Sequence, residues 1–107
     1  EKGQLTSIEH ADTFADGLAT RFAFEIPFEV IKGKLDRVVR VTEDEMQEAV
    51  KVALESTHNA AEGAAAASYA AVIKLKQEYA RKKVVIVHTG HNIDRNTLRW
   101  ALGLFDA

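Results

Sequence analysis

Between His88 and Asn92 the chain reads His-Thr-Gly-His-Asn, which puts two imidazoles, a hydroxyl and a carboxamide on one short turn. These groups can donate or accept hydrogen bonds and move protons near neutral pH. The preceding Val84-Val85-Ile86-Val87 is an unbroken β-branched run, and it predicts a strand buried on both faces, as in the middle of a parallel sheet. Gly90 permits a positive φ, and Asn92 or Asp94 can cap a helix running through Leu98, Ala101, Leu102 and Phe105. In open α/β sheets, ligands bind where a strand's carboxyl end meets the N–H groups of the next helix. An ordinary strand-to-helix turn with capping polar residues is spelled the same way, so these residues alone leave both readings open.

The elements that would hold such a turn lie upstream. Ile26-Pro27 opens a short helix with Phe28, Ile31 and Leu35 on one face, weakened by Gly33. Val38 to Val41 is a second strand candidate. Thr42-Glu43-Asp44-Glu45 then reads as a capping box, with Thr42 at the cap and Glu45 three residues on. Its acidic residues suit the positive end of a helix dipole better than a metal. The helix that follows carries Met46, Ala49, Val50, Ala53 and Leu54 on a core-facing stripe. Ala60-Ala61-Glu62-Gly63 and the alanines after it predict a buried helix that packs backbone-close, anchored by Tyr69, Val72, Ile73 and Leu75. Glu62, at the start of that apolar helix, either matches the dipole or faces a ligand.

With 107 residues the chain holds one modest domain at most. A net charge of -2 with scattered basic residues gives no reason to expect nucleic acid or an anionic membrane as partner. No cysteine is present, so disulfides and thiolate metal sites are excluded, and a cytoplasmic setting is expected. No apolar run is long enough to span a bilayer. His88 and His91 lack the i, i+4 helical spacing of a zinc pair, and no metal site is expected.

Two strand candidates, at 38–41 and 84–88, cannot shield a doubly wound sheet, which needs four or more. The first residue is Glu1 rather than methionine. Both observations lead to the expectation that the chain assembles with copies of itself or is the C-terminal portion of a larger α/β domain. The second is preferred.

Four blocks taken in order resemble the C-terminal third of the threonine dehydratase and serine racemase family. They are Phe14-Ala15-Asp16-Gly17, Arg37 to Glu45, Ala61-Glu62-Gly63-Ala64 and Val87 to Asp94, and the resemblance covers about residues 7–103. These are fold type II enzymes dependent on pyridoxal phosphate. The resemblance implies an α/β fold in which residues 1–107 are the C-terminal part of a three-layer parallel-sheet domain. It implies pyridoxal 5'-phosphate as cofactor, a small amino acid as substrate, and a homo-oligomer. For the site it implies Gly17 with its backbone beside the cofactor ring and Glu62 near the cofactor. The turn Thr89-Gly90-His91-Asn92 stands where the family has Ser-Gly-Gly-Asn, with the Thr89 hydroxyl on the pyridine nitrogen and Asn92 matching the asparagine.

The family's Schiff-base lysine sits in a Ser-x-Lys-x-Arg-Gly segment, and its phosphate is held by a Gly-rich loop. Neither occurs among these residues, so no catalytic residue is nominated and the N-terminal part of the same enzyme is the expected partner. The implied reaction is deamination of L-threonine to 2-oxobutanoate and ammonia. His91 departs from the family's small residue, and Thr-Gly-His resembles the corresponding turn of threonine synthase, which makes an elimination and replacement on a phosphorylated homoserine the alternative. A non-catalytic anion-binding α/β module is the third reading.

Overall fold

The computed structural model describes residues 3–105. Glu1, Lys2, Asp106 and Ala107, and with them both ends of the expected 1–107 span, lie outside the described residues. A 3-10 turn at Asp16–Leu18 precedes α1 (Glu25–Ile31), α2 (Glu43–Thr57), α3 (Gly63–Lys74), α4 (Lys76–Tyr79) and α5 (Arg95–Ala101). The centre is α2 packed along α3, with α5 on α2 and the 3-10 turn against α3.

Helix α2 starts where local chemistry requires. The Thr42 hydroxyl accepts from the Glu45 N–H at 3.2 Å, and the Glu45 carboxylate accepts from the Thr42 N–H at 2.8 Å, which completes the expected capping box. The Thr42 N–H, and after it the Lys74 ammonium, hold the Glu45 carboxyl below its ordinary pKa. Met46, Ala49, Val50 and Ala53 are buried on the expected stripe, with Leu54 half-buried. Opposite them lie Gly63, Ala65, Ala66 and Ala70 of α3. Among the described residues, the buried apolar side chains other than Met46 and Val50 are alanines. Short side chains let the two helices approach closely, so the core is thin.

Two helices stop earlier than their apolar spacing suggests. Helix α1 ends at Ile31 because Gly33 takes φ +70°, which a right-handed helix cannot continue; Leu35 is therefore off the helix and exposed. Gly103, at φ +68°, does the same after α5 and leaves Phe105 beyond the helix.

The strand expectations are not met within the described residues. Neither 38–41 nor 84–88 pairs into a ladder, and the β-pairing recorded among these residues is an isolated antiparallel bridge between Ser7 and Phe22. A strand needs a neighbour for its backbone groups, and neither segment has one here. Val85, in the run expected to be buried on both faces, is 91% exposed, and Val38 is 72% exposed. The radius of gyration, 15.1 Å, exceeds the value of about 13 Å for a compact domain of this length. The molecule is a slab 45 × 38 × 19 Å. No helix among the described residues is long and apolar enough to cross a membrane.

Of the two caps proposed for α5, Asp94 is used: its Oδ1 accepts from the N–H groups of Asn96 (2.9 Å) and Thr97 (3.1 Å), and its Oδ2 accepts from the Thr97 hydroxyl. The Thr97 hydroxyl is the largest cause, and the backbone N–H groups a further one, of a carboxyl pKa below its ordinary value. The stabilisation is thus present above the ordinary carboxylate pKa, about 4, and is lost as pH falls through the lower folded-state value. Asp94→Asn keeps a capping carbonyl and removes the charge. The variant is expected to stay folded at pH 7 and to show a flatter loss of stability below about pH 4 than the wild type; parallel slopes in urea melts across pH would exclude Asp94 as the source.

Candidate functional site

Three distant backbone segments meet at the start of α3. Glu62 is the N-cap residue, and its own carbonyl accepts the helical bond from the Ala66 N–H at 2.9 Å. Its side chain does not cap the helix. It crosses to the turn after residue 88, where Oε2 accepts from the Asn92 N–H at 3.0 Å. In return the Glu62 N–H donates to the Gly90 carbonyl at 3.2 Å. Residue 62 therefore grips residues 90–92 through both backbone and carboxylate.

That grip requires a glycine. A Cβ on Gly90 would stand 2.6–2.7 Å from the Glu62 carboxylate atoms, and one on Gly17 would stand 2.9 Å from the Ala64 Cβ and 3.8 Å from Glu62 Oε1. The structure thus brings Gly17, Glu62, Gly90 and Asn92 together. Thr89 is next to Gly90, with its side chain exposed. Between Asp16, Glu62, Asn92 and Asp94 lies a small cleft of about 50 Å³.

The segment that carries Gly17 is held by the start of α2. Glu43 Oε2 accepts from the Thr13 hydroxyl at 3.1 Å and from the Phe14 N–H at 3.2 Å. The Phe14 ring meets Trp100 of α5 edge-on at 5.0 Å, and Gln47 of α2 donates to the Trp100 carbonyl at 3.1 Å. Glu43 thus has a positioning contact beyond matching the helix dipole. Gly63 is the position whose role the sequence reading missed. A Cβ there would lie 2.7 Å from Phe14 Cε2 and 2.8 Å from the Ala15 Cα. The only sequence signal was a glycine opening an alanine-rich helix.

His88 and His91 sit on the other side of the turn. His88 Nδ1 is 3.1 Å from the Tyr69 hydroxyl, and its Nε2 is 3.4 Å from His91 Nδ1. Ser68 donates to the Val87 carbonyl at 3.1 Å. No group of three or more His, Cys, Asp or Glu side chains placed to hold a metal occurs among the described residues.

The profile of the family described as "Pyridoxal-phosphate dependent enzyme" matches residues 1–90. The chain belongs to that family. It is 38% identical to an L-threonine ammonia-lyase of Thermotoga maritima over 91% of its length, and 29% identical to a catabolic L-threonine dehydratase of Escherichia coli over 98%. A serine racemase of Dictyostelium discoideum is 36% identical over 81% of the chain. The match covers 24%, 32% and 27% of these relatives, so the chain spans about a quarter to a third of their length. The family depends on pyridoxal phosphate, as the resemblance of the four blocks implied.

The exposed Thr89 hydroxyl, which can donate or accept, stands on the wall that Gly17, Glu62, Gly90 and Asn92 build by close packing, with Ala64 and the Glu62 carboxylate filling the space beside the two glycines. Gly63→Ala tests the packing behind that wall. Relief of glycine's helix penalty favours alanine by up to about 1 kcal/mol, whereas the overlap with Phe14 and the Ala15 backbone costs about 1–3 kcal/mol. Because backbone yields less readily than a side-chain tip, a net loss of stability is expected; a higher urea midpoint would show that the 14–15 segment gives way.

Proposed function

We propose that this chain is the C-terminal portion of the catalytic domain of a pyridoxal phosphate-dependent ammonia-lyase that converts L-threonine to 2-oxobutanoate and ammonia. The observation that carries the reading is the double grip of Glu62 on Gly90 and Asn92, which joins two of the blocks that resemble the dehydratases, while Gly17 of a third block packs against Ala64. The named activities of the relatives support the same substrate class: L-threonine ammonia-lyase and L-threonine dehydratase.

In this reading the Thr89 hydroxyl holds the cofactor's ring nitrogen by donating to it, Gly17 lies against the ring with bare backbone, and Glu62, with Gly90 and Asn92, keeps the turn in register. A hydroxyl leaves that nitrogen unprotonated, whereas a carboxylate there would hold a proton on it. The bound cofactor supplies the electron sink that makes the substrate's α-hydrogen acidic. Water leaves across the Cα–Cβ bond, and the enamine product hydrolyses to the 2-oxo acid and ammonia.

The remaining parts belong to the same proposal. A longer protein supplies the nucleophilic lysine and the phosphate loop, and its strands pair with 38–41 and 84–88 in a three-layer parallel sheet. The outward-facing Val38, Val85 and Val87 support this, because side chains of that size favour burial. A cytoplasmic homo-oligomer is the expected assembly.

Release of 2-oxobutanoate from L-threonine by the full-length protein loaded with pyridoxal phosphate tests the reading, with Thr89→Ala beside it. Turnover by the wild type is expected, with the variant's cofactor affinity reduced roughly 2- to 10-fold, the equivalent of one neutral hydrogen bond. Turnover of O-phosphohomoserine but not threonine would replace the dehydratase reading with the threonine synthase-like one. Cofactor retention and rate unchanged in Thr89→Ala would remove Thr89 from the site.

A further inference from the structure

The polar cleft on the far side of the 88–91 turn is unused by the cofactor reading. It has a volume of about 420 Å³ and is lined by Thr57, Asn59, Tyr69, His88 and His91. Two of its ring nitrogens face each other, His88 Nε2 and His91 Nδ1, 3.4 Å apart, with ring centroids at 5.4 Å and planes tilted by 50°. This is a long hydrogen bond between ring nitrogens. Its spacing is also that of two imidazoles on one tetrahedral ion. With metal–nitrogen distances of about 2.0–2.1 Å, the ligand nitrogens stand about 3.3–3.4 Å apart and the ring centroids about 5.3 Å.

The surrounding groups favour the same use. The Tyr69 oxygen, 3.1 Å from His88 Nδ1, can accept that nitrogen's proton in a hydrogen bond and so fix the tautomer that frees Nε2, the role an outer partner plays for a ligating histidine. Asn59 donates through Nδ2 to the Thr57 carbonyl at 2.9 Å and to its hydroxyl at 3.3 Å, which leaves its Oδ1 as a neutral oxygen donor lining the cleft. No lysine or arginine lines it, so an anion would find no full positive charge there. A borderline divalent cation suits imidazole nitrogen with a carbonyl oxygen.

We propose that His88 and His91, with Asn59 as a third donor and water completing the shell, bind one zinc-class divalent ion that braces the turn carrying Thr89 and Gly90. The i, i+3 spacing, discounted by comparison with the helical zinc pair, is brought to ligand distance by the turn itself. The ion ties residues 88–91 to the segment that follows α2, outside the Glu62 grip, and it takes no part in the reaction proposed above.

The test is zinc titration of the chelator-stripped full-length protein by calorimetry, with the visible spectrum of Co²⁺ as a second probe. One ion per chain is expected, with a higher melting temperature when zinc is present. His88→Gln and His91→Gln should each weaken zinc binding by at least about tenfold, and Tyr69→Phe by roughly 10- to 100-fold. Co²⁺ should give the intense spectrum of a low-coordinate site. Zinc affinity equal to wild type in both histidine variants, or a Co²⁺ spectrum like that of the hydrated ion, would overturn the proposal. If His88→Gln misfolds, His91→Gln decides alone, because residue 91 is an exposed turn position. Threonine turnover is not a readout of this experiment, so failure of the functional reading and failure of the metal site are separable.

Discussion

The contact on which the rest depends is the one between residue 62 and residues 90–92. A carboxylate at a helix start ordinarily serves its own helix, where N–H groups are unpaired. Glu62 instead spends its Oε2 on the Asn92 N–H while its backbone N–H serves Gly90. Two reciprocal bonds fix both the distance and the direction of the second segment, which one bond could not do. They also exclude a Cβ at residue 90 while Glu62 keeps that position. The glycine in the turn is thus required by Glu62, a neighbour distant in sequence, not by its own φ.

The alanine-rich core follows from the same demand for close approach. Segments that hydrogen-bond backbone to backbone across a helix start cannot be separated by large side chains, and Gly63 against Phe14 and Ala15 is the extreme case. The consequence is energetic. Apolar stabilisation scales with area buried, at about 25 cal/mol per Å², and an alanine buries little. The bulky aliphatics that would contribute most, Val85 and Ile26 among them, point outward. The described residues form a slab with a well-specified centre and large apolar side chains on its surface.

What could be read from the sequence divides by range. The Thr42–Glu45 box, the α2 stripe and the Asp94 cap involve residues within a few positions of one another, and each formed as its spacing required. Gly33 and Gly103 cut helices short because a positive φ overrides apolar periodicity; Leu35 and Phe105 had the right spacing on the wrong side of a stop. Strands at 38–41 and 84–88 could not be judged locally, since a ladder depends on a partner that composition cannot supply. For the site, spacing alone singled out the 88–92 turn. Glu62 stood out locally as a carboxylate opening an apolar helix, with two roles left open, whereas Gly17 came from the order of four blocks; their meeting is a long-range fact with no local trace. Gly63 was quoted within a block yet given no role, because a helix-opening glycine looks the same whether or not a backbone presses against it.

Helix α3 organises the 87–92 segment from one side. Glu62 and Tyr69 are seven residues apart, two helical turns, so they share a face about 10 Å long. Ser68 lies beside Tyr69 and reaches the Val87 carbonyl. From that edge the helix holds Val87 through Ser68, His88 through Tyr69, and Gly90 and Asn92 through Glu62. Thr89 is the residue passed over: both its neighbours are held while its own side chain is left exposed. A hydroxyl whose neighbours are fixed on each side can meet a ligand with little loss of backbone freedom. Ser68, Tyr69 and the N-cap Glu62 are thus accounted for by what they hold on the 87–92 segment, with the exposed Thr89 between the residues they fix, while Lys74 at the far end of the helix serves Glu45 and the Arg40 carbonyl.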